Sequence, residues 1–209
     1  MECFNEDNFI SLCDKLAKKD KYLKAVIKQH GYPPLWGRVL SFATLIHIIL
    51  EQQVSLASAK AAFLKLEVKI GHITPEKVLK LTDEEMKACY FSRQKIIYAR
   101  HLANAIVNEE LSIEQLVLLE DEQLRTEMKK LKGIGDWTVD VFMMMALHRC
   151  DCFPTGDIAL MKSIKEVKNL NMHTNKEEIL AIADNWKPYR TIAAFMLWHA
   201  YIKKRNTQF

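Results

Sequence analysis

The sequence offers few stretches with the period-two alternation of a half-buried strand, while apolar residues recur at helical spacing nearly throughout. That scarcity excludes a sheet-based architecture and predicts an all-α fold. Cysteine is sparse: the five residues at 3, 13, 89, 150 and 152 are odd in number and follow no repeating spacing, which argues against a disulfide framework and for a reducing compartment. Cys150 and Cys152 lie one residue apart with no second ligand pair, so they read as buried or incidental thiols rather than a zinc site. The longest apolar patches, such as Phe42 to Leu50, are far shorter than a membrane span, and that one contains His47. The N-terminal MECFNEDNF lacks a basic region followed by an apolar run, so it is not a secretory signal. Together these absences predict a soluble intracellular protein without membrane contact. No internal repeat, low-complexity tract or long linker is evident.

Neither sign of charge is in large excess. A net charge of +4 is compatible with a polyanionic partner and does not establish one. With 209 residues, 49% of them hydrophobic and 27% charged, the chain suits one domain or two small interlocked lobes with a real core.

Helix starts and breaks are plentiful. Asp7 to His30 reads as one or two amphipathic helices, broken by Gly31-Tyr32-Pro33-Pro34. The organisation expected is an N-terminal helical extension over 1–35 and a principal domain over 36–209. Val39 to Glu51 reads as a strongly apolar helix, interrupted by Gln52-Gln53-Val54-Ser55, with Ser55 or Ser58 capping the next. Thr74-Pro75 and Thr82 with Glu85 open two more, the latter at capping-box spacing. Ser92 starts a helix to Asn108, and Ser112 and Asp121 open others. Further along, helices are expected over Asp157 to Lys168, Asn175 to Trp186, and Pro188 to about Lys204. The final Lys203-Lys204-Arg205 reads as a solvated tail, with contact to DNA backbone as the alternative.

Leu131 to Ile164 is the most informative stretch. Leu131-Lys132-Gly133-Ile134-Gly135 is a tight turn whose two glycines permit positive φ and close backbone approach. Charged, helix-prone residues precede it, and Trp137 to Leu147, apolar almost all round, marks a buried helix after it. Such a turn, followed by free helix N-terminal amides, can hold a phosphate. Phe153-Pro154-Thr155-Gly156-Asp157 then delivers one aspartate to the start of another helix. On its own, that aspartate would be an ordinary N-cap.

The ordered set of turn, Gly-Ile-Gly-Asp-Trp-Thr and Pro-Thr-Gly-Asp resembles the helix-hairpin-helix, Gly/Pro-Asp (HhH-GPD) superfamily of DNA glycosylases. Within it, the alkylbase branch of the 3-methyladenine DNA glycosylase II type is the most similar. With other segments, the resemblance spans most of residues 32–201. It implies two helical lobes with the active-site cleft between them, a hairpin over 129–137 and a catalytic loop over 153–157. Asp157 falls at the family's catalytic aspartate. Trp137 stands where bifunctional members carry a lysine that attacks the sugar, which implies a monofunctional enzyme without lyase activity. Trp137 and Trp198 match tryptophans of the base pocket, Trp198 through Trp186-Lys187-Pro188-Tyr189-Arg190, although Trp198 could equally be core. Val141 departs from the pattern, where such a pocket can carry a tyrosine.

Glu51-Gln52-Gln53-Val54-Ser55 resembles the segment that fills the gap left by a flipped base, with Gln53 in register as the wedge. A simple capping role is the plainer alternative. Tyr90-Phe91-Ser92-Arg93-Gln94-Lys95 resembles a Gly-Leu-Ser-x-x-Lys segment with Tyr90 in the glycine's place; Ser92 is expected to cap and Lys95 to lie on an outer face. The hairpin is implied to hold a DNA phosphate through Gly133, Ile134, Gly135 and Thr138, with carbonyls of Lys129, Leu131 and Ile134 able to ligate a sodium or potassium ion. Asp136 is awkward beside a phosphate. No cofactor is required, and the four-cysteine iron–sulfur loop of some members is missing. The expected partner is double-stranded DNA with damaged bases, bound by a monomer, in the cytoplasm or nucleoid of a bacterium or the nucleus of a eukaryote. Two other functions stay open: a non-catalytic helix-hairpin-helix DNA-binding or damage-sensing protein, and a glycosylase for uracil or a mismatched pyrimidine.

Overall fold

The computed structural model describes residues 2–205; residue 1 and residues 206–209, the outer ends of the ranges 1–35 and 36–209, lie outside it. Among the described residues there are thirteen helices: α1 (Phe9–Lys19), α2 (Lys21–His30), α3 (Phe42–Glu51), α4 (Leu56–Ile70), α5 (Pro75–Lys80), α6 (Asp83–Ala88), α7 (Arg93–Val107), α8 (Ile113–Leu116), α9 (Asp121–Lys129), α10 (Asp136–Met145), α11 (Ile158–Val167), α12 (Lys176–Asp184) and α13 (Arg190–Arg205). Among the described residues the extended backbone pairs only at an isolated bridge between Cys3 and Arg149. The fold is all-α, as expected.

Local chemistry sets most of the boundaries. Side chains of Ser41, Ser55, Thr74, Ser92, Ser112 and Asp157 each accept an amide of the helix they precede. Thr82 with Glu85, and Asn175 with Glu178, form reciprocal capping boxes. α3 starts at Phe42 rather than Val39, because Ser41 Oγ accepts from Thr44 N (3.2 Å) and the Thr44 hydroxyl donates to Val39 O (2.7 Å). Val39 is left 80% exposed ahead of the helix.

The described chain forms two compact units, residues 1–37 with 143–209 and residues 38–142. The first is built around α13, whose residues from Thr191 to Ala200 are all buried and which packs on α11, α2 and α1. Phe4, Phe9 and Trp36 meet Phe195 with ring centroids 5.5, 5.9 and 5.3 Å away. Asp20 ends α1 and caps α2, while its Oδ2 takes hydrogen bonds from Lys168 Nζ (2.7 Å) and Trp186 Nε1 (2.8 Å). Burial pushes the Asp20 carboxyl up, but these donors and the Tyr22 amide outweigh it, so the group titrates below its ordinary range.

Lys203-Lys204-Arg205 is not a tail. It is the last turn of α13, with Lys204 and Arg205 paired to Glu166 at 3.1 and 2.6 Å. A carboxylate on α11 recruits this turn, and nothing local in the sequence marks that pairing. In the second unit α3 packs on α4 and α7, and α5 and α6 pack on α7.

Three histidines sit where protonation is penalised. His47 stacks on Phe63 at 4.4 Å and His148 lies 4.9 Å from Phe4, with His148 Nε2 buried and unpartnered among the described residues. Desolvation is the first cause that lowers the pKa of His30, His47 and His148 below the ordinary 6.5. The unfolded chain therefore takes up protons at these groups before the folded chain does. Their effect on stability is flat above about pH 6.5 and becomes a loss as pH falls below it. The urea midpoint is expected to drop between pH 7.5 and pH 5.5; a midpoint that rises over this interval would contradict the assignment.

Candidate functional site

The turn between α9 and α10 is built from both sides. Leu131 N bonds back to Met128 O (3.1 Å) and Ile134 N to Leu131 O (3.1 Å), while Leu131 and Ile134 are buried and anchor it. Gly133 has φ +87°, and a Cβ there would lie 2.2 Å from the Tyr98 ring. Glycine is therefore demanded twice, by conformation and by space. Gly135 is exposed, and a Cβ on it would meet nothing within 4 Å. Its bareness serves the outer surface rather than the packing. Val139 N to Gly135 O (3.0 Å) begins α10, whose first amides have no acceptor inside the helix.

Asp136 turns toward a cation. Its carboxylate accepts from Lys129 Nζ at 2.7 Å, so its charge is offset across the turn. The Thr138 hydroxyl is buried and accepts from Gln52 Nε2 (3.0 Å), so this side chain supports the hairpin from within. Behind it, Asp140, 6% exposed, pairs with Arg125 at 2.5 Å and ties α10 to α9. Nothing local in the sequence marks that partner, although a lone acid in the apolar run from Trp137 to Leu147 signals that a cation must be nearby. Trp137 is half-buried in the first turn of α10, and Val141 is buried one turn further on.

Gln53 follows the end of α3 with φ 58° and an exposed side chain. Gln52 turns inward and also donates to Gly133 O at 2.9 Å. Lys95 is not on an outer face: its Nζ donates to Leu50 O at 2.6 Å, because the last carbonyls of α3 need donors. Desolvation holds that amine below its ordinary pKa. It lines a cavity of about 270 Å³ with Leu50, Val54 and Tyr90. Tyr90, in the glycine's place, adopts φ 64°, with Lys65 Nζ 4.0 Å from its ring centroid.

Asp157 belongs to the first unit. α13 grips the loop leading to it: the Thr191 hydroxyl donates to Arg149 O (2.6 Å) and accepts from Cys152 N (2.9 Å), and Arg190 pairs with Asp151 at 2.8 Å. Asp157 N bonds to Pro154 O (2.9 Å), closing a turn that sets the aspartate as the N-cap of α11. Its Oδ1 accepts from Leu160 N (2.7 Å) and from the indole N–H of Trp198 (3.1 Å). The structure thus brings Asp157 and Trp198 together, with Trp198 4% exposed and Asp157 half-buried. A groove of about 390 Å³, lined by Thr155, Gly156, Ile158, Met161 and Lys162 among others, flanks the aspartate.

Among the described residues no group of three or more His, Cys, Asp or Glu could hold a metal ion, and no helix is long and apolar enough to cross a membrane. All five cysteines are free thiols.

The family model for the HhH-GPD superfamily base excision DNA repair protein matches residues 46–188. A DNA-3-methyladenine glycosylase of Bacillus subtilis is 28% identical over 209 residues, covering 94% of this chain and 69% of the relative. A second B. subtilis relative, a putative DNA-3-methyladenine glycosylase, is 28% identical over 85% of this chain and 65% of its own length. This chain therefore spans about two thirds of the length of both. Among solved structures, the 3-methyladenine DNA glycosylase of Schizosaccharomyces pombe in complex with abasic DNA superimposes with a TM-score of 0.83 at 28% identity, covering 90% of this chain and 95% of that one.

Proposed function

Because the chain belongs to the HhH-GPD superfamily of base excision DNA repair proteins, we propose that it is a monofunctional DNA glycosylase: it flips alkylated purines of the 3-methyladenine type out of duplex DNA and hydrolyses their glycosidic bond, leaving an abasic site. The observation that carries this is Asp157, a carboxylate fixed by the α11 amide of Leu160 and the Trp198 indole in a family of base-excision proteins.

Cleavage of an N-glycosidic bond develops positive charge on the deoxyribose. A carboxylate already oriented by two donors stabilises that charge without reorganising and can align the attacking water. An alkylated purine is itself cationic, so it departs without a strong general acid, and one carboxylate suffices. We assign Trp137 to stacking on the extruded base, where an indole face attracts a cationic ring. The Trp198 indole N–H orients Asp157.

Gln53, exposed on its left-handed turn, is the wedge that replaces the lost stacking. The amides of Gly133, Ile134, Gly135 and Thr138 hold a phosphate of the same duplex. Neutral carbonyls at Lys129, Leu131 and Ile134 suit a sodium or potassium ion; Leu131 O accepts from Ile134 N and keeps a second lone pair. Such an ion would be structural, and no step passes through it. Residues 36–209 are taken as the glycosylase domain, with 1–35 as its extension, acting as a monomer on cellular DNA and needing no cofactor.

The test is base release from methylated duplex DNA, with strand breaks scored before and after alkali. Methylpurine release is expected, with nicks only after alkali, since tryptophan stands in the place of the lysine nucleophile. Nicks without alkali would establish a lyase and sink the monofunctional assignment. Duplex binding without release of any base would instead favour a scaffold, and release of uracil alone would change the substrate class.

A further inference from the structure

The turn after α3 carries two glutamines that face opposite ways. Gln53 is exposed at φ 58°. Gln52 sends its amide nitrogen inward to Gly133 O (2.9 Å) and Thr138 Oγ1 (3.0 Å), partners 81 and 86 residues further along the chain. A glutamine NH₂ has two protons, and both are used here. The two acceptors bracket residues 134–137, so one side chain fixes both the inside of the hairpin and the start of α10.

The base of the turn is held as well. Arg38 makes a two-pronged ion pair with buried Glu51 at 3.0 and 2.6 Å, and Lys95 Nζ bonds Leu50 O at 2.6 Å. Of these three clamps, Gln52 alone reaches the hairpin.

We infer that Gln52 is a positioning residue that locks the extrusion wedge and the phosphate grip into one rigid element, so that recognition of a flipped or missing base depends on a fixed spacing between them; this rests on the reading of Gln53 as wedge and of the hairpin as phosphate site. Pushing a side chain into a base stack requires the backbone to be held against it. A phosphate grip free to slide relative to the wedge would bind DNA equally well whether or not the wedge had entered. With the two locked together, phosphate binding favours insertion, and the free energy of one event is coupled to the other. A glutamine that only satisfied a partly buried carbonyl would support folding and nothing more.

The experiment compares affinity for an intact duplex and for the same duplex carrying a tetrahydrofuran abasic analogue, using the full chain. It covers wild type, Gln52→Met, Gln53→Ala and the double variant, with thermal midpoints alongside. Gln52→Met keeps the length of the side chain and removes the donor. It is expected to reduce the preference for the abasic duplex about tenfold, with little change on intact DNA. The double variant should lose no more than the larger single loss, because both changes break the same coupling. Should Gln52→Met not fold, Gln52→Glu carries the test: its carboxylate faces the Gly133 carbonyl when ionised and can donate to it when protonated, so preference should recover as pH falls.

Equal weakening on both duplexes, an unchanged ratio, multiplicative losses in the double variant, a pH-independent Gln52→Glu defect, or no wild-type preference for the abasic duplex would each overturn the assignment. Binding needs no catalysis. A wild type that prefers the abasic duplex but releases no methylpurine would remove the glycosylase and leave the coupling standing.

Discussion

Asp157→Asn is expected to lower single-turnover release of methylated purines by about a thousandfold, the upper end of what removing one charge-stabilising group from an active site does. Duplex affinity and thermal midpoint should stay close to wild type. The separation is possible because Asp157 has two duties on one oxygen: Oδ1 accepts from Leu160 N at 2.7 Å and from Trp198 Nε1 at 3.1 Å. An asparagine oxygen can accept both bonds, and Asn and Asp are comparable N-caps. What asparagine cannot supply is the negative charge that opposes the developing oxocarbenium ion. Asp157→Ala differs in kind, since it removes the cap, at about 1 kcal/mol, and leaves a buried indole N–H without its acceptor, at about 1–3 kcal/mol more. The alanine variant should thus be inactive and less stable, the asparagine variant inactive and stable. More than a tenth of wild-type activity in Asp157→Asn would mean that the carboxylate is only a cap.

The second large effect is structural. Gly133→Ala is expected to destabilise the chain by about 3 kcal/mol and to weaken DNA binding in the molecules that remain folded. Its backbone sits at φ +87°, and the added methyl would lie 2.2 Å from the Tyr98 ring, less than any Cβ tolerates. Rotation of Tyr98 is hindered by its bond with Gln94, so the turn itself must give. Gly135→Ala supplies the contrast. Its new Cβ meets no atom within 4 Å, so the thermal midpoint should hold, and any loss of affinity then reports how closely a phosphate approaches that surface. Thermal unfolding and anisotropy with one duplex decide both; a Gly133→Ala protein as stable as wild type would refute the packing account.

What the sequence made legible was local. Thr74, Thr82 with Glu85 and Ser92 cap where their spacing predicts, and of Ser55 and Ser58 it is Ser55 that caps, because a cap involves residues three apart and leaves a short signature. The tight turn at 131–135 and the cap at Asp157 were readable for the same reason. The supports of the site were not. Gln52 looked like a helix-breaking residue until Gly133 came within 2.9 Å of it, and Lys95 looked like a surface lysine until it met the end of α3. Asp20 depends on Lys168 and Trp186, 148 and 166 residues away. Such pairs are fixed by packing between elements, and a single sequence carries no periodicity that reports them. Asp140 is intermediate, since its place in an apolar run called for a cation without saying that it would be Arg125.

The thiols have a consequence of their own. Burial pushes Cys13 and Cys150 up to about 12, with the neighbouring Asp14 and Glu2 adding to the effect, and burial raises Cys89 too. At neutral pH a thiol with a pKa of about 12 is ionised in only about one molecule in 100,000, and the thiolate is the nucleophile. Reagents that methylate purines are electrophiles that also seek thiolates. Cys150 immediately precedes the loop that delivers Asp157, and its N–H and carbonyl are bonded to Glu2 and Thr191. A methyl group on that sulfur would wedge apart the segments that hold Asp157 in place. Kept protonated and out of reach, these three sulfurs are poor targets for the agents that create the proposed substrate, and the exposed Cys3 is the thiol left open to them.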